Sequence, residues 1–421
     1  MHALEKILAK NSGRKVVKTG EIVTCKIDFA EVNDLYLQVI ESFEEMGGKK
    51  VWDPSKVAFV MDHYAPAPTI KSAANQKAMR EFVWDQGIKY LFDINAGVCH
   101  QVMPEAGIVY PGMILIATDS HTTTHGAFGA FGTGVGATDL ACILMTGELW
   151  LRVPEIINIE IKGKLKDGVL PKDIILKILG ELKTDAAVYK GIEFTGETIK
   201  DLDMAGRIVL CNMAVELGAK VTYIQPDEKT FEYLKKYGVD VDSIDIPFND
   251  PSFEYDGVYK FDVSDLVPQV AIPHSPDNVV PVDAVAGIKV DQVFIGACTG
   301  GRVEDLEAVY RAVKGKKINA KTRLVIIPAS KDVYLEALRR GYIEAFIEAG
   351  ATVTAPGCGP CLGAHQGVIA PGEVCVTASN RNFPGRMGST GAKIYLASPL
   401  TAALCAVEGK IVNPMDYLKE E

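Results

Sequence analysis

The stretch "APGCGPCLGAHQG" places Cys358 and Cys361 either side of a Gly-Pro pair, with His365 four residues further on. Three kinds of chemistry use such a pair. A thioredoxin-like dithiol carries Cys-x-x-Cys near a βαβ pattern. Such a domain is small, however, and glycine rather than an aromatic residue precedes Cys358. A structural zinc site takes four Cys/His ligands, often as two close pairs. The chain has no second Cys-x-x-Cys, and beyond His365 as a third ligand no clear fourth lies nearby. The third chemistry draws on "IGACTGGR", where Cys298 follows an apolar run and precedes Thr299-Gly300-Gly301, a backbone suited to close approach. Three cysteines at adjacent strand ends can hold three irons of a cubane cluster. The fourth iron is then open, a Lewis acid for a hydroxyl and a carboxylate.

Acid–base residues suited to that chemistry recur along the chain. "MDHYAPAP" supplies Asp62 and His63, "GVCHQV" supplies His100, and "TDSHTTTHG" supplies Asp119, Ser120 and His121. A carboxylate beside a histidine fixes its tautomer and raises its basicity. One histidine at a strand end is usually a hydrogen-bonded structural residue; three with acidic neighbours point to proton transfer. His125 stands four residues from His121, but the β-branched threonines between them oppose a metal-binding helix, and it reads as structural. "ASNRNFPGR" adds Arg381 and Arg386 on a Gly/Pro-bent loop, suited to bidentate carboxylate recognition. The plainer reading of that pair is a salt-bridged surface loop. Cys25, Cys142, Cys211, Cys375 and Cys405 read as small core side chains, and Cys99 as lining a site without being a ligand. "GAFGAFGTGVGATD" contains Gly132-x-Gly134-x-x-Ala137, but it does not directly follow a strand. It reads as tight turns and helix packing rather than a dinucleotide site.

These residues need a scaffold that gathers loops. "KVAFVMDH", "GMILIATDSH", "QVFIGACTGGR", "RLVIIPASK", "ATVTAPGCGPC" and "EVCVTASNRNFPGR" each run from a short apolar block into a polar cluster. Near-continuous apolar blocks suit strands buried on both faces of a parallel sheet. Helical stretches such as "VYLEALRRGYIEAFIEAG" separate them, which is the βαβ rhythm of doubly wound α/β folds. Ligands in such folds sit beyond the carboxyl ends of the strands, where the polar clusters lie. At 421 residues the chain is long enough for two or three domains. The expected division is 1–152, 153–284 and 285–421, with the Pro-rich "PQVAIPHSPDNVVPVD" as a linker into the last. A net charge of −10 disfavours nucleic acid and anionic membranes as partners. The N-terminal residues have no apolar h-region, and the longest apolar runs are far below a membrane span. The chain therefore reads as cytoplasmic. Nine cysteines, an odd and sparse set, suit metal or catalysis better than a disulfide scaffold.

Taken in order, "DHYAPAP", "GVCHQVMPE", "TDSHTTTHGAFGAFGTGVGATD", "GRIVLCNMAVELGA", "IGACTGGRVEDLEA", "GCGPCLGAHQG" and "NRNFPGRMG" resemble the aconitase superfamily over essentially the whole chain. Within it they are similar to the large subunits of 3-isopropylmalate dehydratase and homoaconitase. The resemblance implies three doubly wound α/β/α domains around a central iron–sulfur cleft. It implies one [4Fe-4S] cluster held by Cys298, Cys358 and Cys361, with one iron not bound by cysteine. It places Asn212 and Asn380 close to that cluster. Asp62, His63, His100, Asp119, His121 and Glu216 match the network that delivers a proton to a departing hydroxyl. Ser120, Arg381 and Arg386 match substrate positions, and Gln38 in "NDLYLQV" matches a carboxylate-contacting glutamine. The implied reaction is dehydration and rehydration of a hydroxy dicarboxylate or tricarboxylate. 3-Isopropylmalate, on the route to leucine, is the main reading; homocitrate-type acids, citramalate and 2,3-dimethylmalate share the reacting core. The family's base is a serine in a Gly-Ser-Ser-Arg-type loop on a swivelling domain. The nearest match, Gly388-Ser389-Thr390, lacks the arginine, and the sequence ends at "VEGKIVNPMDYLKEE", just after the expected third domain, with no room for a fourth. A separate small subunit carrying that serine is the implied partner.

Overall fold

The computed structural model describes residues 1–417. Their strands form three large sheets and one antiparallel pair, Ile22–Lys26 with Glu148–Arg152. The first large sheet is parallel throughout, in the order Tyr90–Phe92, Val57–Val60, Phe29–Asn33, Ile114–Ala117, Phe131–Gly134. The second is also parallel, in the order Val221–Tyr223, Gly191–Thr195, Ile156–Lys162, Gly257–Asp262. The third has seven strands. Lys393–Leu396, Val374–Thr377, Gln292–Ile295, Arg323–Ile326 and Thr352–Val353 run parallel, and Gln269–Ala271 and Val279–Pro281 extend one edge antiparallel.

The apolar blocks form the sheet interiors. Val57–Val60, Ile114–Ala117 and Gln292–Ile295 are buried at every position, as strands covered on both faces must be. Helices are stopped where the sequence supplies the chemistry. Ile70–Gln86 begins at Thr69, whose hydroxyl accepts from the Ser72 N–H, and ends at Gly87 in the left-handed region.

The Pro-rich stretch read as a linker is partly strand. Gln269–Ala271 and Val279–Pro281 pair with each other and reach Leu396 through Ala271. Proline is tolerated there because the pairing lies at a sheet edge. The division at 284 therefore leaves two strands of the third sheet on its N-terminal side.

The glycine-rich motif serves close packing. A Cβ on Gly126 would lie 2.2 Å from the Thr222 carbonyl oxygen, on Gly132 2.4 Å from that of Thr122, and on Gly134 2.5 Å from that of Asp119. These contacts press strand Phe131–Gly134 and the single-turn segments of Ser120–Phe128 against their neighbours. Because the obstacle at Gly126 is backbone, Gly126→Ala is expected to cost about 1–3 kcal/mol. A urea unfolding midpoint lowered at unchanged m-value would show it.

Candidate active site

Loops from two sheets converge. From the five-stranded sheet, Val57–Val60 leads into Asp62 and His63, and Ile114–Ala117 leads into Asp119, Ser120 and His121. His100 is the second residue of helix Cys99–Glu105, after strand Tyr90–Phe92. From the seven-stranded sheet, Gln292–Ile295 leads into Cys298, Thr352–Val353 into Cys358 and Cys361, and Val374–Thr377 into Asn380, Arg381 and Arg386. Backbone bonds join the two groups: Cys358 N–H to the Asp62 carbonyl at 2.8 Å, and Val98 N–H to the Ala329 carbonyl at 2.8 Å.

The three cysteines line one small cavity together with Asp62, His63, His100, Asp119, His121, Asn380 and Arg386. None is in a disulfide. Asn380 Nδ2 lies 3.4 Å from Cys298 Sγ and 3.4 Å from the Asn212 side-chain oxygen. Its own oxygen is 3.8 Å from Cys361 Sγ. Without a cation, burial pushes the Cys298 thiol up to about 12, with Cys361 adding to the rise, and pushes Cys358 well above its ordinary value. Thiolates in this cavity call for added positive charge, of the kind a metal cluster would supply. Three sulfurs at strand ends of one sheet fit a cluster with one open iron; the fourth cysteine of the lining, Cys99, comes from a different element, helix Cys99–Glu105. Cys99 lines the same cavity but donates its backbone N–H to Asp62 at 2.9 Å. His365, the third candidate in a zinc reading, instead bonds the Pro66 carbonyl through Nε2.

A connected acid–base network faces the cysteines. His63 Nδ1 sits 2.6 Å from Asp62, and its Nε2 is 3.6 Å from Asp119. His100 Nε2 is 3.0 Å from Asp119, which also accepts the His121 backbone N–H at 2.7 Å. His121 Nε2 is 3.0 Å from Glu216, and Arg381 Nε donates to the same Glu216 oxygen at 2.6 Å. Burial alone would raise Asp119, but His100 and His121 hold it well below the usual carboxylate range. Glu216 follows the same balance, with His121 and Arg381 outweighing burial. His63 is raised despite its burial, because Asp62 and Cys358 favour its charged form.

The threonines of "TDSHTTTHG" hold this loop. Thr122 and Thr124 donate back to the Asp119 and His121 carbonyls, and Thr123 to that of Cys211 at 3.0 Å. Asn212 donates to the Thr124 hydroxyl at 2.8 Å, so the asparagine beside the cysteines also braces the histidine loop. His125 is buried, and its Nδ1 has no partner among the described residues.

A wider cleft of about 420 Å³ opens from this cavity and shares His63, Asp119, His121, Leu362 and Arg386 with it. Ser120 and Arg381 line it as well. Its volume suits a small organic acid. Arg386 is half-buried; its Nη2 lies 3.9 Å from Cys361 Sγ, and its Nε has no partner among the described residues. An unpartnered guanidinium N–H at the junction of both spaces is the donor a bound carboxylate would complete.

Gln38 lines neither space. It is exposed at the start of helix Gln38–Glu45, and its neighbours Leu35 and Tyr36 line the cleft instead. Cys142 is exposed on helix Ala137–Thr146 rather than in the core. Three residues escaped the sequence reading. Asp34 is buried and accepts the backbone N–H groups of His63 and Tyr64 at 2.9 and 3.0 Å, fixing the Asp62–His63 turn. Lys220 adds a cation to the cleft, and Arg302 donates to the Cys298 carbonyl at 2.6 Å. Arg302 closes the "IGACTGGR" motif and Asp34 lies in "NDLYLQV", but neither was singled out there, and Lys220 lies outside every quoted motif. Among the described residues no helix is long and apolar enough to cross a membrane.

Known proteins are similar to this chain along most of its length. The model of the aconitase family (aconitate hydratase) matches residues 5–287 and 283–409. The 3-isopropylmalate dehydratase large subunit 1 of Methanopyrus kandleri is 50% identical over 416 residues, covering 98% of this chain and 99% of its own. That of Aquifex aeolicus is 47% identical, covering 100% and 98%. A probable methanogen homoaconitase large subunit of Methanothermobacter thermautotrophicus is 46% identical, covering 98% and 97%. The crystal structure of Thermococcus kodakaraensis aconitase X in its holo-form matches at a TM-score of 0.51 and 14% identity, over 90% of each chain, and so shares the fold. Sheets, strand-end loops and full-length relatives lead to one assignment: the chain belongs to the aconitase family.

Proposed function

We propose that this chain is the large, cluster-bearing subunit of a hydro-lyase that isomerises a hydroxy dicarboxylate, with 3-isopropylmalate as substrate. The observation that carries the reading is the shared cavity: Cys298, Cys358 and Cys361 facing three histidines, Asp62 and Asp119, opening onto a cleft with arginines. Cys298, Cys358 and Cys361 would hold a [4Fe-4S] cluster. When bound, its open iron would supply Lewis acidity to the substrate's hydroxyl and adjacent carboxylate.

The remaining work falls to the chain. Arg386, with a free N–H, binds one substrate carboxylate, and Arg381 and Ser120 hold the other. Arg381 is already charge-paired with Glu216, so it approaches the substrate as part of a fixed unit. The hydroxyl departs toward the network at Asp119, where His100 and His121 converge. A proton on His63 Nε2, with Nδ1 held by Asp62, turns the poor leaving group hydroxide into water, while His100 Nε2 bonds Asp119 beside it. Asp34 keeps the His63 backbone from drifting out of reach.

The C–H proton needs a separate base. The histidines are committed to the hydroxyl, and the cleft's other lining residues include no unpaired carboxylate. A small subunit supplying a serine base and closing the cleft against water completes the site. The relatives' names give both isopropylmalate and homoaconitase large subunits at similar identity. Substrate length is therefore read partly by Leu35, Tyr36 and Val135 on this chain and partly by the partner.

The direct test is anaerobic purification with iron and sulfide assays, then turnover of 3-isopropylmalate and homocitrate with a small subunit present. A colourless, iron-free protein after reconstitution would refute the assignment. Arg386→Lys keeps the charge but loses the planar fork. It is expected to cost about 2 kcal/mol of transition-state stabilisation, roughly 30-fold in kcat/KM. A Lys variant with wild-type kcat/KM would remove Arg386 from the substrate site.

A further inference from the structure

Helix Pro171–Leu182 follows strand Ile156–Lys162 of the four-stranded sheet. Its second residue, Lys172, is 1% exposed, and its ammonium reaches the strand ends of the seven-stranded sheet. Nζ donates to the carbonyl oxygens of Ala378 and Ser379 and to the Thr299 hydroxyl at 3.3 Å. Thr299 directly follows Cys298, and Ser379 directly precedes Asn380. The Thr299 hydroxyl in turn donates to the Ala378 carbonyl at 2.8 Å. The two loops touch here: a Cβ on Gly300 would lie 2.4 Å from that of Ala378. One side chain from outside the third sheet thus fastens the Cys298 loop to the loop bearing Asn380 and Arg381.

Hydrogen-bond counting fixes the charge of that side chain. Three acceptors call for three N–H donors, which an ammonium has and a neutral amine lacks. Burial pulls Lys172 down to about 7, while Asp305, Cys298, Cys361 and Asp173 all act to raise it. The interaction is reciprocal: whatever anionic sulfur does for the ammonium, the ammonium does for anionic sulfur. Arg302 places a second buried cation at the same corner through its bond to the Cys298 carbonyl. The neighbouring carboxylates are engaged elsewhere. Asp305 accepts the Arg302 backbone N–H, and Asp173 accepts those of Leu170 and Gln269.

Resting on the cluster reading above, we propose that Lys172 is a positioning residue whose charge sets the reduction potential of the iron–sulfur group held by Cys298, Cys358 and Cys361. A buried positive charge favours the form carrying one more electron, so removing it lowers the potential.

The test is a dithionite titration of the anaerobically reconstituted protein, followed by electron paramagnetic resonance of the one-electron-reduced cluster. Wild type is compared with Lys172→Met, Lys172→Gln and Lys172→Arg. Gln keeps amide donors for the orphaned carbonyls, so it carries the comparison where Met does not fold, as judged by far-ultraviolet circular dichroism. At a fixed applied potential, the reduced-to-oxidised ratio is expected to fall about tenfold in the neutral variants, a midpoint lowered by about 59 mV. The Arg variant is expected to stay near wild type. Neutral variants that titrate with wild type would overturn the proposal. So would an Arg variant that shifts, or loses its cluster, as fully as the neutral ones, because shape rather than charge would then decide. A wild-type protein that takes up no cluster would overturn the cluster reading itself, an outcome distinct from a loaded cluster that ignores Lys172.

Discussion

Cys298→Ser, Cys358→Ser and Cys361→Ser are each expected to lose both bound iron and turnover, while Cys375→Ser keeps both. The contrast follows from position rather than residue type. All four sulfurs are within or near the seven-stranded sheet, and none is in a disulfide. Cys375, however, lies within strand Val374–Thr377 with its thiol bonded to the Val376 carbonyl, whereas the other three line one cavity at the strand ends. Serine is nearly isosteric but a poor ligand for iron, so the fold should persist as the site empties. Iron and acid-labile sulfide per chain, measured after anaerobic reconstitution, check the loss. A full cubane retained by the Cys358 variant would contradict the ligand assignment, and loss in the Cys375 variant would show that the assay reads folding instead.

The isolated chain is expected to bind its cluster yet turn over 3-isopropylmalate at least a thousandfold more slowly than with a small subunit, about 4 kcal/mol in barrier height. The estimate combines two losses. A positioned base for the C–H proton contributes roughly 10²–10⁴-fold on its own, and an open cleft leaves the reacting charges solvated. The measurement is the appearance of the unsaturated intermediate by ultraviolet absorbance, with the small subunit titrated in. Full activity from the homogeneous chain would require a base among its own residues, and the Asp119–His100–His121 cluster would be the first place to look.

Strand-end residues were legible because their signal is local. An apolar block running into "MDH", "TDSH" or "ACTGG" is a buried strand meeting a ligand-facing loop, and each of these is found at the edge of the cavity. Residues acting across sequence distance left no such mark. Lys172 and Lys220 are single basic letters in ordinary helical or loop contexts, and Arg302 gave no sign within its motif of which group it serves; only the packing of distant elements shows Lys172 and Arg302 buried, and Lys220 half-buried, beside the site. Gln38 illustrates the converse. Its stretch does reach the cleft, but through Leu35 and Tyr36, because Gln38 has turned outward as a helix begins with Val39, Ile40 and Phe43 packed inward. Cys142 was misread for a similar reason: composition favours burial of cysteine, while its helix buries Leu140, Ala141, Ile143 and Leu144 around it. The Pro-rich stretch before residue 284 hid two short strands because edge pairing needs few of the signals that a central strand requires.

The backbone bonds between Cys358 and Asp62, and between Val98 and Ala329, have a thermodynamic side. The sulfurs belong to one sheet and most of the proton-handling groups to another, so the site exists only while the two bodies are docked. Any ligand that spans them adds its own binding free energy to the association, as RT ln(1 + [L]/Kd). By the same linkage the empty chain is expected to open at this seam more often than a chain holding a ligand there, which limited proteolysis of the two forms would show.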